Sequence, residues 1–337
     1  MENEIKVSVL CLAYNHEKYI RKCLDGFIMQ KTNFKFEVLI NDDASTDNTA
    51  QIIREYEEKY PDIIKPIYQT ENQHSKGVKI MLGILVPLIT GKYVAFCEGD
   101  DYWCDENKLQ IQYDIMEANN DCKMSIHRVG SCRENGELFN VCKPNFDMDD
   151  GKMSSRRYIE IGMNYQLSGL MLETKAYKEY ATNPPEFKKV IKSVGDVPLM
   201  LYFGQLAPVY YFKKIMSIHR SESIGSWSQK QRQNRDGRVA KFWLEQKKMM
   251  EEFNKYTNYI YNDLYEYRIN LVTVRYLLEI GDKKEMRKKL YKDTLKKWIK
   301  ENPNKKEVRA IMLKFRFPSL IKIYYKLKGR KNGKRGV

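Results

Sequence analysis

Along the first 120 residues, apolar and polar positions alternate between two periods. Ile5 to Ala13 is almost continuously apolar and β-branched, as a central strand covered on both faces requires. Tyr19, Ile20, Cys23, Leu24, Phe27 and Ile28 then recur at helical spacing with Lys18, Arg21, Lys22 and Asp25 between them, which predicts an amphipathic helix. Phe36 to Ile40 reads as a second strand, and Ser45-Thr46-Asp47-Asn48 offers N-caps for a helix carrying Ile52, Ile53 and Tyr56 that Pro61 stops. Ile63 to Tyr68 is a third strand, placed at a sheet edge by Pro66. A helix over about 76–89 and a strand from Tyr93 to Cys97 complete four alternating units, the pattern of a parallel sheet flanked by helices. Asp105 is expected to cap a helix with Leu109, Ile111, Tyr113 and Met116. Beyond about residue 122 the pattern weakens to strand-like pieces at 124–129, 167–172 and 207–212, with a polar, acidic stretch at 144–157 that reads as a mobile loop. From about Ser228 onward the chain reads as helical and rich in tyrosine, and no internal repeat is visible.

Composition narrows this picture. With 42% apolar and 31% charged residues, 337 positions are enough for one large domain and a smaller appendage. Seven cysteines, an odd number without CxxC pairs and partly inside apolar runs, read as reduced core residues of a reducing compartment. The start, Met1-Glu2-Asn3-Glu4, has neither the basic region nor the apolar stretch of a signal peptide, so secretion by that route is not expected. The longest apolar run, Ile80 to Ile89, contains Gly83 and Pro87 and falls short of the roughly 20 residues that a spanning helix needs. The net charge of +15 is uneven: residues 283–337 hold 21 Lys/Arg against four acids, +17, leaving −2 for residues 1–282. In that tail Lys288, Lys289, Lys292, Lys296 and Lys297 intersperse with Leu290, Leu295, Trp298 and Ile299. A basic amphipathic segment of this kind suits an anionic membrane surface, and equally an appendage with a solvated lysine face. Nucleic acid is a third option, but no finger, RRM or stacking motif accompanies the charge.

In open α/β sheets the ligand site lies beyond the carboxyl ends of the strands. Three polar clusters fall there: Tyr14-Asn15, Asn41-Asp42-Asp43 and Glu98-Gly99-Asp100-Asp101. The first has no glycine where a dinucleotide fold would carry GxGxxG, so an NAD site is not expected. The third sets three carboxylates within four positions directly after a buried strand. That is either a solvated, capping turn or the seat of a hard cation sharing substrate phosphates.

Taken in order, Leu-Ala-Tyr-Asn-His-Glu-Lys-Tyr-Ile, Asn-Asp-Asp-Ala-Ser-Thr-Asp-Asn-Thr and Glu-Gly-Asp-Asp-Tyr-Trp resemble the family 2 glycosyltransferases. The branch they are most similar to builds bacterial capsule, lipopolysaccharide and other surface glycans. The match runs over about residues 5–228, which sets a domain at 1–228 and a helical, basic region at 229–337. The resemblance implies an α/β GT-A fold with a mixed, mainly parallel sheet, a nucleotide-sugar donor such as a UDP-sugar, and inverting single displacement assisted by Mg²⁺ or Mn²⁺. Carried residue by residue, it implies that Ala13, Tyr14 and Asn15 line the nucleotide pocket and that Asp43, with Asp42 beside it, holds base and ribose. Asp100 would hold the donor's ribose or sugar, and Asp101 the metal. Asp196, at the head of Gly195-Asp196-Val197-Pro198, stands where the family keeps its general base, a position that also suits a helix N-cap. Glu222 occupies the usual place of a histidine ligand and His219 that of a tyrosine, so the third metal ligand departs from the pattern. Arg220 and Trp227 would serve the diphosphate and the loop over the donor. The lone His127, inside a strand, is read as structural. The implied acceptor is a growing cell-surface glycan or lipid-linked precursor at the cytoplasmic face of the membrane. A nucleotidyltransferase would instead need a Gly-rich, basic phosphate loop after strand one, which is absent; a non-catalytic nucleotide- or RNA-binding protein would act through the tail.

Overall fold

A computed structural model describes residues 4–144, 146, 148–162, 165–221 and 238–301. The alternating units form as their periods require. Strands β1 (Ile5–Ala13), β2 (Lys35–Asp42), β3 (Ile64–Tyr68) and β4 (Tyr93–Phe96) alternate with helices α1 (Ile20–Ile28) and α2 (Thr49–Lys59). All three pairings among these strands are parallel, in the order β3-β2-β1-β4, so Pro66 does sit on the edge strand, where a missing amide costs no ladder bond. Val7, Val9 and Cys11 pack on Ile20, Leu24 and Phe27 of α1. On strand β4 the ring of Phe96 meets Tyr177 edge-on at 5.5 Å, from helix α5 (Thr174–Thr182).

The sheet then changes sense. After β5 (Tyr102–Trp103) and α3 (Lys108–Ala118) come β6 (Met124–Cys132), β7 (Leu138–Lys143), β8 (Gly151–Met153), α4 (Ser155–Ile161), β9 (Leu170–Glu173), α6 (Glu186–Lys189), α7 (Asp196–Leu206) and β10 (Val209–Arg220). The order continues β4-β9-β6-β10-β5: β9 is antiparallel to both β4 and β6, β6 and β10 run parallel, and β5 is antiparallel to β10. The mixed sheet that the resemblance implied is thereby complete.

Three local expectations are corrected. Residues 76–89 form a 3-10 turn at His74–Lys76, a single π turn at Met81–Leu85 and a 3-10 turn at Val86–Leu88 in place of one helix. Gly83 weakens the helical backbone there and Pro87 removes a donor. The stretch at 144–157 holds β8, paired with β10, and the start of α4, whose Ser154 hydroxyl caps the Arg157 amide. Strands β5 and β7 were not foreseen: β5 pairs with β10, more than a hundred positions on, and β7 forms a hairpin with β6 across a polar turn at Arg133–Glu137.

The chain divides into two compact units, Met1–Pro184 with Asp196–Lys230, and Pro185–Gly195 with Gln231–Val337. The described part of the second is helical: α6, α8 (Arg238–Tyr256), α9 (Asn262–Ile280), α10 (Lys283–Met286) and α11 (Lys289–Glu301). Phe187 of α6 meets Phe253 of α8 edge-on at 5.2 Å, and Glu245 accepts the amides of Lys192 and Ser193. Leu295 and Trp298 of α11 are buried against Val274, Leu277 and Leu278 of α9. The apolar side of the first basic helix is thus used inside its own unit, which leaves its lysines as a solvated face. The rest of the tail, 302–337, lies outside the described residues.

Candidate active site

The loops after β1 and β2 are laced together. Asn15, in the left-handed region at φ 55°, donates its amide to Ser45 Oγ (2.9 Å) and accepts the Thr46 amide on Oδ1 (2.8 Å). The His16 amide donates to Thr49 Oγ1 at 2.7 Å. Asp42 accepts the Ser45 hydroxyl at 2.5 Å. Asp43 donates its own amide to the Ala13 carbonyl (3.0 Å), and its carboxylate accepts the amides of Gln73 (2.7 Å) and His74 (3.1 Å). Both carboxylates are therefore engaged in shaping the strand-end recess, while an ionised carboxylate keeps lone pairs for a further donor. Tyr14 projects at 43% exposure beside them; Ala13 is buried and contributes backbone.

The acidic turn follows β4. Asp101 is 4% exposed and accepts the Arg220 amide on Oδ1 at 2.8 Å. Burial, then the charges of Asp100 and Glu98, push its carboxyl well above the usual carboxylate range, against the pull of Arg220. Glu98 is exposed at the turn, and the protein packed around it, with the charges of Asp100 and Asp196, pushes its carboxyl up to about 8. Asp196 is the first residue of α7 and turns one carboxylate oxygen to the amide of its neighbour Val197 at 2.9 Å. Its charge nonetheless acts on Glu98, which brings residues nearly a hundred positions apart to one recess. His219, on β10, is pushed down to about 4 by burial and by Lys143, against Asp100, and is neutral at pH 7. Lys143, held down by burial and drawn up by Asp196, lines the same recess and was missed in the sequence, where an isolated lysine at the end of an unforeseen strand carries no signal. His16 was missed too, although it stands inside the first motif: its buried Nδ1 has no hydrogen-bond partner, and a Cβ on Gly99 would come within 2.7 Å of it. Only glycine lets the acidic turn approach that closely.

These carboxylates fit a divalent metal in one respect. They are hard oxygen donors whose mutual repulsion a cation relieves, and a Mg²⁺ site takes one or two of them beside water and phosphate. Among the described residues no three His, Cys, Asp or Glu side chains form a ready ligand cluster. Glu222 and Trp227, expected as third ligand and loop residue, lie outside the described residues.

Arg220, expected to serve the diphosphate, is engaged by the protein's own groups. Its Nε donates to the Asp100 carbonyl (3.1 Å), its Nη1 to the carbonyls of Arg133 (3.1 Å) and Glu134 (2.7 Å), and the guanidinium lies 4.7 Å over the Tyr19 ring. At 5% exposure it ties the acidic turn to the β6–β7 connection. Beneath the turn, Trp103 meets Phe27 edge-on at 4.9 Å and the fully buried Lys108 ammonium lies 4.2 Å from the indole, bonded to Gln112 Oε1 at 2.7 Å.

Comparison with known proteins places this arrangement. Residues 8–161 match the family model described as Glycosyl transferase family 2. An uncharacterized Mycobacterium tuberculosis protein is 30% identical over 226 residues, covering 66% of this chain and 60% of its own length, so the chain spans about three fifths of that relative. The poly(ribitol-phosphate) beta-glucosyltransferase of Bacillus spizizenii is 26% identical over 153 residues, 44% of this chain and 23% of that protein. Among solved structures, residues 1–349 of Staphylococcus aureus TarS in complex with UDP-GlcNAc superpose with a TM-score of 0.55 at 18% identity, covering 92% of this chain and 85% of that one.

Proposed function

We propose, for a chain whose residues 8–161 form a family 2 glycosyltransferase domain, that it moves one sugar from a nucleotide donor, a UDP-sugar, to a cell-wall or other surface glycan precursor carried on a lipid at the cytoplasmic face of the membrane. The observation that carries the reading is the convergence of Glu98, Asp100 and Asp196 at the strand ends, where the charges of Asp100 and Asp196 raise the cost of ionising Glu98. Such a group of carboxylates is a poor structural element and a good place for a cationic or proton-transferring step. The TarS likeness in fold and the name of the B. spizizenii relative support the donor class and the wall-glycan acceptor.

In this reading the nucleotide rests on the laced loops at Tyr14, Asn15, Asp42 and Asp43, and Asp100 receives the ribose or sugar hydroxyls. Asp101, with Glu222 or His219, would hold Mg²⁺ or Mn²⁺. When bound, the ion supplies charge neutralisation on the departing diphosphate. Asp196 accepts the proton of the acceptor hydroxyl as its oxygen bonds the anomeric carbon, while the bond from that carbon to the diphosphate breaks on the opposite face. The anomeric configuration inverts and the nucleoside diphosphate leaves. Arg220 holds the acidic turn in register with β10, Trp227, outside the described residues, would serve the donor loop as the resemblance implies, and Lys143 is a cation that acts on Asp196.

The test incubates the purified chain with Mn²⁺ and a panel of UDP-, GDP- and dTDP-sugars and measures nucleotide release. One donor class is expected to be consumed, and Asp101→Asn to abolish that consumption. If no donor is bound or hydrolysed, or Asp101→Asn equals wild type, the reading fails.

A further inference from the structure

The loop after β1 meets the acidic turn through one ring. His16 lies between β1 and α1, and its main chain is fixed on both sides: its amide donates to Thr49 Oγ1 at 2.7 Å, and its carbonyl accepts the amides of Tyr19 and Ile20, each at 2.8 Å. Thr49 is held in turn by its hydroxyl on Asp47 Oδ1 (2.5 Å). The imidazole packs on Gly99, where an added Cβ would come within 2.7 Å of Nδ1 and 3.1 Å of Ile20 Cδ1. Neither the ring nor the turn has room to slide past the other.

This packing separates the two ring nitrogens. Nδ1 is buried and has no hydrogen-bond partner. Nε2 makes no hydrogen bond among the described residues either, but it is not buried, and the residue as a whole is half-buried. Burial lowers the imidazole below its ordinary value, against the charges of Asp100, Asp47 and Asp42, so the ring is neutral at pH 7 and carries one proton. A buried N–H without an acceptor is costlier than a buried lone pair, which puts that proton on Nε2. The open edge of the ring is thus a neutral donor set among carboxylates.

Those carboxylates come from both clusters that the donor reading uses, Asp42 at the end of β2 and Asp100 in the turn after β4. An ionised carboxylate only accepts, whereas a sugar hydroxyl has a proton to give and lone pairs to fill. Acids alone would leave the hydroxyl oxygen without a donor. We propose that His16 is a ribose-binding residue of the donor site, its Nε2–H donating to a ribose hydroxyl whose own proton goes to a neighbouring carboxylate. This deepens the transferase reading and rests on it. It makes the ribose hydroxyls part of what the site selects, since a nucleotide lacking the partner hydroxyl leaves His16 and the carboxylate both unpaired.

The experiment is calorimetric titration of the full chain, with Mn²⁺ present, by UDP and GDP and by their 2′-deoxy and 3′-deoxy forms. Wild type is expected to bind the ribonucleotide it prefers about five- to tenfold more tightly than at least one of its deoxy forms. His16→Met fills the same space without a donor. It should lose about that factor for the ribonucleotide and bind that deoxy form as wild type does, so that the preference vanishes. His16→Gln, whose amide donates, should regain part of it. Should His16→Met fail to fold by circular dichroism, His16→Phe, which keeps a ring against Gly99, serves in its place. A ring that only spaces the turn would, when replaced, weaken ribo- and deoxynucleotides alike. That result overturns the proposal, as does a preference kept in the donor-less variant or absent from wild type. Wild type binding none of these nucleotides would refute the transferase reading itself, and this assignment with it.

Discussion

The two halves of the ten-stranded sheet come by their site residues in different ways. In the parallel half, β3-β2-β1-β4, every group at the recess follows its own strand within a few positions: Tyr14 and Asn15 after β1, Asp43 after β2, Glu98 to Asp101 after β4. In the mixed half, β9-β6-β10-β5, the groups arrive from far away: Asp196 at the head of α7, His219 and Arg220 at the end of a twelve-residue strand, Lys143 at the end of β7. The first half places its groups by local sequence and the second by topology. Their charges meet at the acidic turn, where the Arg220 amide caps Asp101 and Asp196 acts on Glu98.

If the parallel half carries donor and metal binding, its most sensitive position is Asp101. Asp101→Asn keeps an oxygen for the Arg220 amide and removes a buried charge, so nucleotide release is expected to fall about 10³-fold or more while the thermal midpoint holds or rises. A lower midpoint with activity intact would make the turn a structural cap. Asp196→Asn tests the other half. A lost general base costs roughly 10²- to 10⁴-fold in turnover, and calorimetry should show donor affinity unchanged. Weakened donor binding at full turnover would move Asp196 from the acceptor side to the donor side.

The same division explains what was legible in the sequence. Ile5–Ala13 is apolar at nearly every position and became the central strand, and Pro66 announced an edge, because both signals are local. Strand β5 is two residues long and exists through Ser217 and Ile218, more than a hundred positions on, so no window of the chain contains its cause. The guanidinium of Arg220 is held by backbone carbonyls, partners that no side-chain pattern encodes. The helix expected over 76–89 broke where Gly83 and Pro87 outweighed an apolar run. Lysines between apolar residues in 288–299 resembled a membrane face, whereas α9 uses the apolar side.

Arg220→Met asks whether the link between the halves is structural. It strips hydrogen bonds from three carbonyls around a buried site, which is expected to cost about 3 kcal/mol in urea unfolding, with donor affinity falling only as the turn loosens. An unchanged midpoint with a raised donor KM would return Arg220 to the diphosphate and undo its assignment as a tie.

The smallest expected effect lies under the turn. Lys108 is fully buried, with Gln112 and the Trp103 face as its near partners, and burial pushes its ammonium down to about 7, opposed by Cys97 and Asp105. Above pH 7 the folded state has released this proton while the unfolded chain, near the ordinary lysine value, still holds it. The unfolded state then binds more protons, so wild-type stability rises with pH from 7 toward the unfolded lysine value. Lys108→Met has no such group. The stability of wild type relative to the variant should therefore grow by about 1.5 kcal/mol between pH 7 and 8.5, read from urea midpoints at each pH. Parallel curves would mean that Lys108 keeps its charge beneath Trp103. The acidic turn would then rest on a buried cation, and the two halves would be joined by charge as well as by the hydrogen bonds of Arg220.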